Sequence, residues 1–252
     1  MTPAANPGGV EPVILLLTAT VDPPAIVHLR RTDPEQRESD YINALIRWTK
    51  TTTCPMVFCE NSGWDCGRIS DALRFVRPGR VDFLSCDVQA TPLTRGKGYG
   101  ELQIIRQALE RCEQLRCSRT ILKVTGRYFV RNGREIIEAL ARPDDVMVHA
   151  DLRDNGAWAE SRLFAFGPSF VTAYLSSFQG SIDDSRGRYL EHALARAVHR
   201  AMADGHRWAP LPRRPVFHGT SGTFNTPLRE SPFRRVVATA AHRLKNHLNR
   251  RP

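Results

Sequence analysis

The chain has 252 residues, 41% of them hydrophobic, and 36 Lys and Arg against 26 Asp and Glu leave a formal charge of +10. A chain of that length buries roughly 70–75% of its unfolded surface, enough for one large domain without staples, and no run approaches the roughly 20 apolar residues of a membrane span. The six cysteines, Cys54, Cys59, Cys66, Cys86, Cys112 and Cys117, include no CxxC pair and accompany no paired histidines at zinc spacing, which argues against structural zinc or a disulfide framework and for reduced thiols in the cytoplasm.

Residues 1–11 have no basic region followed by an apolar core and read as a disordered lead-in rather than a signal peptide. Residues 12–20 (PVILLLTAT) are a continuous apolar run ending in small hydroxylic residues, as a buried parallel strand does where it opens onto a ligand crevice. Asp33, Pro34 and Glu35 suit the cap and first turn of a helix on which Tyr41, Leu45 and Trp48 share a face, with Arg37 near its start. A second strand over 55–60 (PMVFCE) leads into the Asn61-Ser62-Gly63 turn, residues 71–75 form a brief helix, and 81–85 (VDFLS) form a third strand.

The centre of the chain is residues 94–132, which read loop, helix, strand, loop. Ile104, Ile105, Ala108 and Leu109 recur at helical spacing, and Ile121, Leu122 and Val124 form a short β-rich run. Both loops set Gly beside cations and hydroxyls, Gly96 to Gly100 around Lys97 and Tyr99, then Lys123, Thr125, Gly126, Arg127 and Tyr128. Such loops let backbone N–H groups approach an anion while a cation neutralises it, although the first is neither a Walker loop nor a Rossmann fingerprint and also reads simply as a helix start. Downstream follow a helix over 134–141, strands over 146–150 (ending at Asp151) and 161–166, a helix opened by Pro168, a turn over 181–187 and a periodic helix over 189–202 with Glu191 in its first turn. A Pro- and Arg-rich connector at 210–215 leads to a late glycine loop beginning at Phe217 and His218. Alternating strands and helices argue for a mostly parallel sheet with helices on both faces, in one domain over 12–227.

Taken in order, LLLTAT, RESDYINAL, FCENSG, RGKGYGE, KVTGRYFVRN, SRLFAFG and DDSRGRYLEHAL resemble small bacterial glycosyltransferases of the GT-A type that build surface polysaccharides such as O-antigen or capsule, over roughly residues 12–225. The resemblance implies a Rossmann-like GT-A fold, a nucleotide-sugar donor, usually uridine diphosphate-linked, and transfer to a hydroxyl of a growing glycan. It implies that Thr18, Thr20, Glu60, Asn61 and Ser62 border the nucleoside, that Lys97 and Tyr99 face the diphosphate or ribose with Thr125 and Gly126 beside them, and that His218 touches the diphosphate unless it is a hydrogen-bonded structural residue; Arg37, in a first helical turn beside a strand end, either reaches the phosphates or lies on a solvated helix face. An Asp-x-Asp metal motif usually follows the central strand of such enzymes, but here the position reads Thr125-Gly126-Arg127. Either Lys123 and Arg127 supply the positive charge, or a divalent metal, Mn or Mg, uses another carboxylate such as Asp151. Glu191 occupies the place of an inverting enzyme's base, with Asp183 and Asp184 as rivals and helix N-terminal charge stabilisation as its plain alternative.

From residue 228 onward stand seven Lys or Arg and one Glu. Residues 231–251 read as an amphipathic helix, capped by Ser231 and opened by Pro232, that holds the enzyme to the inner face of the cytoplasmic membrane beside a lipid-linked acceptor; a helix packed on the domain is the plain alternative. Two other functions compete, nucleic-acid binding, motivated by the charge and by Tyr128, Phe129 and Trp158, and another nucleotide-dependent transfer such as sulfo- or nucleotidyltransfer.

Overall fold

The computed structural model describes residues 13–25, 28–74, 76, 81–86, 95–228 and 239. The expected lead-in at 1–11 and, apart from Thr239, the expected helix at 231–251 lie outside them.

Seven strands form the central sheet: β1 (Ile14–Ala19), β2 (Met56–Glu60), β3 (Val81–Ser85), β4 (Ile121–Thr125), β6 (Val146–His149), β9 (Leu163–Phe166) and β10 (Arg207–Ala209). Their order is β10-β6-β9-β4-β1-β2-β3. All pairings are parallel except those of β9, which runs against both β4 and β6. The fold is therefore the mostly parallel α/β sheet expected. The antiparallel strand was not readable, because a fully buried LFAF run looks the same in either direction.

Side-chain alternation divides β1 between two cores. Ile14 and Leu16 pack with α3 (Lys97–Arg111), α6 (Pro168–Ala173) and α7 (Leu190–Ala203), whereas Val13, Leu15, Leu17 and Ala19 pack with α1 (Pro34–Thr51), α2 (Gly67–Arg74) and α5 (Gly133–Leu140). Helices thus cover both faces. A short helix, α4 (Glu113–Arg116), follows α3. Two small antiparallel pairs that the sequence did not announce complete the fold: β5 (Phe129–Val130) with β11 (Phe217–His218), and β7 (Leu152–Arg153) with β8 (Trp158–Ala159). No described helix is long and apolar enough to cross a membrane.

Helix α1 begins as expected, with the Asp33 carboxylate accepting from the Gln36 N–H. Two starts differ. Helix α2 begins at Gly67 rather than 71, and α3 begins at Lys97, so that Gly98 and Gly100 lie inside its first turn rather than in a loop.

Candidate functional site

β1 pairs with β2 on one side and β4 on the other, so the chain changes direction between β1 and β4 and leaves a crevice at their C-terminal ends. Buried polar side chains converge there. Thr18 Oγ1 and Thr125 Oγ1 each donate to Glu101 Oε1 at 3.1 Å. The fully buried Lys123 ammonium also donates to Glu101, and to the Ser161 carbonyl at 2.8 Å. Burial opposes the charge on Glu101, but Lys123 and the two hydroxyls hold its carboxyl below the usual carboxylate range. Lys123 is therefore committed to an internal ion pair, and the expectation that it meets a leaving diphosphate is corrected. Sequence reasoning passed over Glu101, whose partners stand 83, 22 and 24 residues away. The signal available was its position one helical turn after Lys97, on the same side of α3.

The second part of the crevice is cationic. Arg37 and Arg127 are 4% and 8% exposed, and among the described residues neither forms an ion pair with a carboxylate; Asp40 is taken by Arg31. Arg37 Nε donates to the Thr20 carbonyl at 2.8 Å, and its Nη2 reaches the Tyr41 hydroxyl at 3.4 Å. Burial pulls the Arg37 guanidinium below its ordinary value; Tyr41 offsets part of this and the Arg127 charge adds to it. Arg127 Nη1 donates to the Thr220 carbonyl at 2.9 Å, while its Nε has no partner. An unpartnered buried donor of a charged group costs about 1–3 kcal/mol or more, which an anion would recover. Gly126 serves packing: its N–H donates to the Thr18 carbonyl at 2.9 Å, and an added Cβ would lie 2.9 Å from that oxygen.

A late loop over 219–225 straps the crevice. The Gly222 carbonyl accepts from the N–H groups of Arg30 and Arg31 at 3.0 and 3.1 Å, Asn225 Oδ1 accepts from Arg31 at 2.9 Å, and Thr223 takes the Lys97 ammonium. Gly222 lies on the Arg127 guanidinium so closely that a Cβ would sit 2.5 Å from Nη2. Lys97 and Arg127 are thus held by uncharged oxygens, whereas Arg31 keeps its ion pair with Asp40.

The remaining expected donor residues order the crevice floor. Thr20 Oγ1 donates to Asn61 Oδ1 at 2.6 Å. The buried Glu60 carboxylate accepts from the backbone N–H groups of Val21, Ser62 and Trp64 at 3.0, 2.9 and 3.2 Å, and from the Ser62 hydroxyl, so it ties the loops after β1 and β2 together. Tyr99 turns away: its ring packs on the α3-side core, with the Arg95 guanidinium 5.1 Å above it. His218 also stands apart, near Arg47 and Arg131; burial, then those two charges, lowers its pKa.

The phosphate-cradling role of the first glycine loop is corrected. Asp184, 1% exposed, fills the N-terminus of α3, its Oδ2 accepting from the Gly98 N–H at 3.1 Å. A Cβ on Gly96 would lie 2.4 Å from Asp184 Cβ, so the glycines admit the protein's own carboxylate. That burial pushes the Asp184 carboxyl up. Asp184 is therefore enclosed against α3, and the half-buried turn carboxylate Asp183 bonds Ser185.

Glu191 opens α7, and its Oε1 accepts from Ser161 Oγ at 2.7 Å. Through Ser161 it adjoins the Lys123–Glu101 pair. Burial raises the Glu191 carboxyl, Ser161 works against that, and the Glu101 and Glu160 charges reinforce it. A carboxylate with a raised pKa in a polar crevice is suited to accept a proton.

The residues after β4 do not fit a divalent metal. Thr125 bonds Glu101, Gly126 offers no side chain, and Arg127 brings a buried cation to the position. Asp151, the other candidate, directs Oδ1 to the Leu211 N–H at 3.3 Å, and among the described residues no three His, Cys, Asp or Glu side chains gather as metal ligands. The aromatics that motivated nucleic-acid binding are mostly core: Tyr128 and Phe129 are buried against Phe217 and Trp48.

No protein-family model and no curated protein matches this chain. Among solved structures it is similar to the galactosyltransferase LgtC in complex with donor and acceptor sugar analogues (10% identity, TM-score 0.48, 72% of this chain and 69% of that one). It is also similar to the bifunctional glycosyltransferase WbbM (13%, TM-score 0.49, 96% and 46%). A third is the mannosyltransferase PcManGT from Pyrobaculum calidifontis in complex with GDP-Man and Mn2+ (12%, TM-score 0.45, 98% and 64%). All three TM-scores lie below 0.5, so what the chain does has to be read from its own residues.

Proposed function

We propose that the chain is a glycosyltransferase that moves a sugar from a nucleotide diphosphate sugar, uridine diphosphate-linked by the resemblance, to a hydroxyl of a bacterial surface glycan, with inversion. The observation that carries this is the buried Arg37 and Arg127 pair, which makes no ion pair with a carboxylate among the described residues beyond the more distant charge of Asp40 and leaves Arg127 Nε unpartnered, at the strand ends where an α/β sheet changes direction. Such a site suits a diphosphate, and its charge is most effective when negative charge collects on the leaving group. Thr20, Asn61 and Glu60 hold the adjoining floor for the nucleoside.

On the acceptor side Glu191 takes the hydroxyl proton as the oxygen attacks the anomeric carbon, and the bond to the nucleoside diphosphate breaks with its electrons on the phosphate oxygen. Ser161 holds Glu191 in place, and Lys123 with Glu101 holds Ser161. The basic segment from residue 228, which we read as the anchor to anionic lipid, would bring this site to a lipid-linked acceptor at the membrane's inner face.

Thermal shift with uridine, guanosine and adenosine diphosphates, their sugar conjugates, an adenosine sulfate donor and oligonucleotides tests the reading. Stabilisation by a nucleotide diphosphate sugar, lost in Arg127→Ala, supports it. Stabilisation by the sulfate donor or by oligonucleotides alone overturns it.

A further inference from the structure

Three aromatic rings cluster where α7 begins, on either side of Glu191 in sequence. Trp158 on β8 meets Tyr189 edge-on at 5.8 Å and His192 at 5.0 Å between centroids, and Tyr189 stacks on His192 at 5.7 Å with 18° between planes. All three are half-buried, and none belongs to either hydrophobic core. Their arrangement is fixed: Tyr189 immediately precedes α7, and its N–H donates to His192 Nδ1 at 3.1 Å, which in the neutral ring leaves the proton on Nε2.

Trp158 also differs from the other three tryptophans. Trp48, Trp64 and Trp208 each give the indole N–H to a protein acceptor, at 3.0, 2.9 and 2.9 Å. Among the described residues the Trp158 indole N–H has no protein partner, and it is open to solvent and so available to a ligand. Three residues further along, Ser161 donates to Glu191. Indole, phenol and imidazole therefore stand on the segments that carry Glu191 and its partner Ser161, and they offer apolar ring surface with polar edges. A pyranose has the complementary form, with C–H groups on one face and hydroxyls around its rim.

We propose that Trp158, Tyr189 and His192 form a platform for a pyranose acceptor, holding the ring by its apolar face and the indole N–H while one hydroxyl meets Glu191. The proposal rests on the glycosyltransferase reading and narrows it: the acceptor is the terminal ring of a glycan, not a lipid alcohol or a protein hydroxyl. Because Glu191 lies between Tyr189 and His192 in sequence, two of the three rings and the group that takes the proton are carried together by the start of α7.

The test uses the full chain with uridine diphosphate present, and methyl β-galactopyranoside, methyl β-glucopyranoside and the open-chain alditol galactitol as probes, followed by saturation-transfer NMR and tryptophan fluorescence. At least one pyranoside should bind through its ring C–H protons and change the fluorescence, and galactitol should not. Trp158→Ala should weaken that binding about tenfold or more, and Trp158→Phe should retain part of it. Stabilisation by uridine diphosphate should be unchanged in both. If Trp158→Ala does not fold, Trp158→Phe and His192→Ala carry the comparison. Equal pyranoside affinity in wild type and folded variants overturns the platform, as does equal binding of galactitol. A chain that binds uridine diphosphate but neither pyranoside also overturns the platform and leaves the transferase reading standing. A chain that binds no nucleotide diphosphate overturns the reading beneath it.

Discussion

Arg127 carries the sharpest prediction at the scale of single residues. Its guanidinium is 8% exposed and held through the Thr220 carbonyl, so Arg127→Ala should lower turnover about 100- to 1000-fold while the chain remains folded, as steady-state rates and circular dichroism would show. Near-normal turnover in the folded variant would remove Arg127 from the chemistry. Glu191 adds a prediction in pH. Its raised pKa places the acid limb of activity above the ordinary glutamate value of about 4.3, and Ser161→Ala, which deletes a bond that favours the carboxylate, should move that limb higher still. An unmoved limb would mean that another group is the base. The same shift has a sign for stability. A carboxyl raised by folding favours the fold while protonated, below the unfolded value, and that contribution disappears as pH rises through the folded value. At neutral pH Glu191→Gln should therefore lose transfer by about 100-fold or more yet raise Tm rather than lower it. The candidacies of Arg127 and Glu191 were legible because each stands in a distinctive local setting, after the central strand or in a first helical turn. Glu101, and the internal duty of Lys123, were not, because their meaning depends on contacts between distant parts of the chain.

Among the elements, the start of α3 shows how a loop rich in glycine can be read for the wrong anion. Gly96 at φ +86°, together with Gly98, makes room for the Asp184 carboxylate at the helix N-terminus. Gly96→Ala should destabilise by about 2 kcal/mol or more, from the left-handed backbone and the 2.4 Å approach together. Asp184→Ala should cost about 1 kcal/mol as a lost cap. In the double variant the clash is smaller, so urea denaturation of the four chains should show costs that do not add; simple additivity would mean the two do not meet. Helices and buried strands were readable from apolar spacing, as in Tyr41, Leu45 and Trp48. The two-residue strands of β5, β7, β8 and β11 were too short to show a period, and what makes them strands is the partner each finds.

For the whole molecule, charge is divided between body and tail, with seven Lys or Arg against one Glu from residue 228 onward. If that segment is the anchor, the full chain should float with vesicles containing anionic lipid, less as salt rises, and ignore neutral ones, whereas a chain ending at Pro227 should stay folded and not float. Equal flotation of the shortened chain would place the anchor elsewhere. The strap over 219–225 has a further consequence, in time rather than in affinity. Lys97, Arg31 and Arg127 grip it through a hydroxyl, an amide oxygen and a carbonyl, all weaker acceptors than a phosphate. On the proposed reading an arriving donor would draw Lys97 and Arg127 from these grips and set the loop free, and a departing diphosphate would give them back, so that the loop's return would accompany each product's escape. Catalytic cycles would then be paced by a segment of chain moving through solvent, and turnover should slow in proportion to added viscogen, with Thr223→Ala less sensitive because one grip has been loosened.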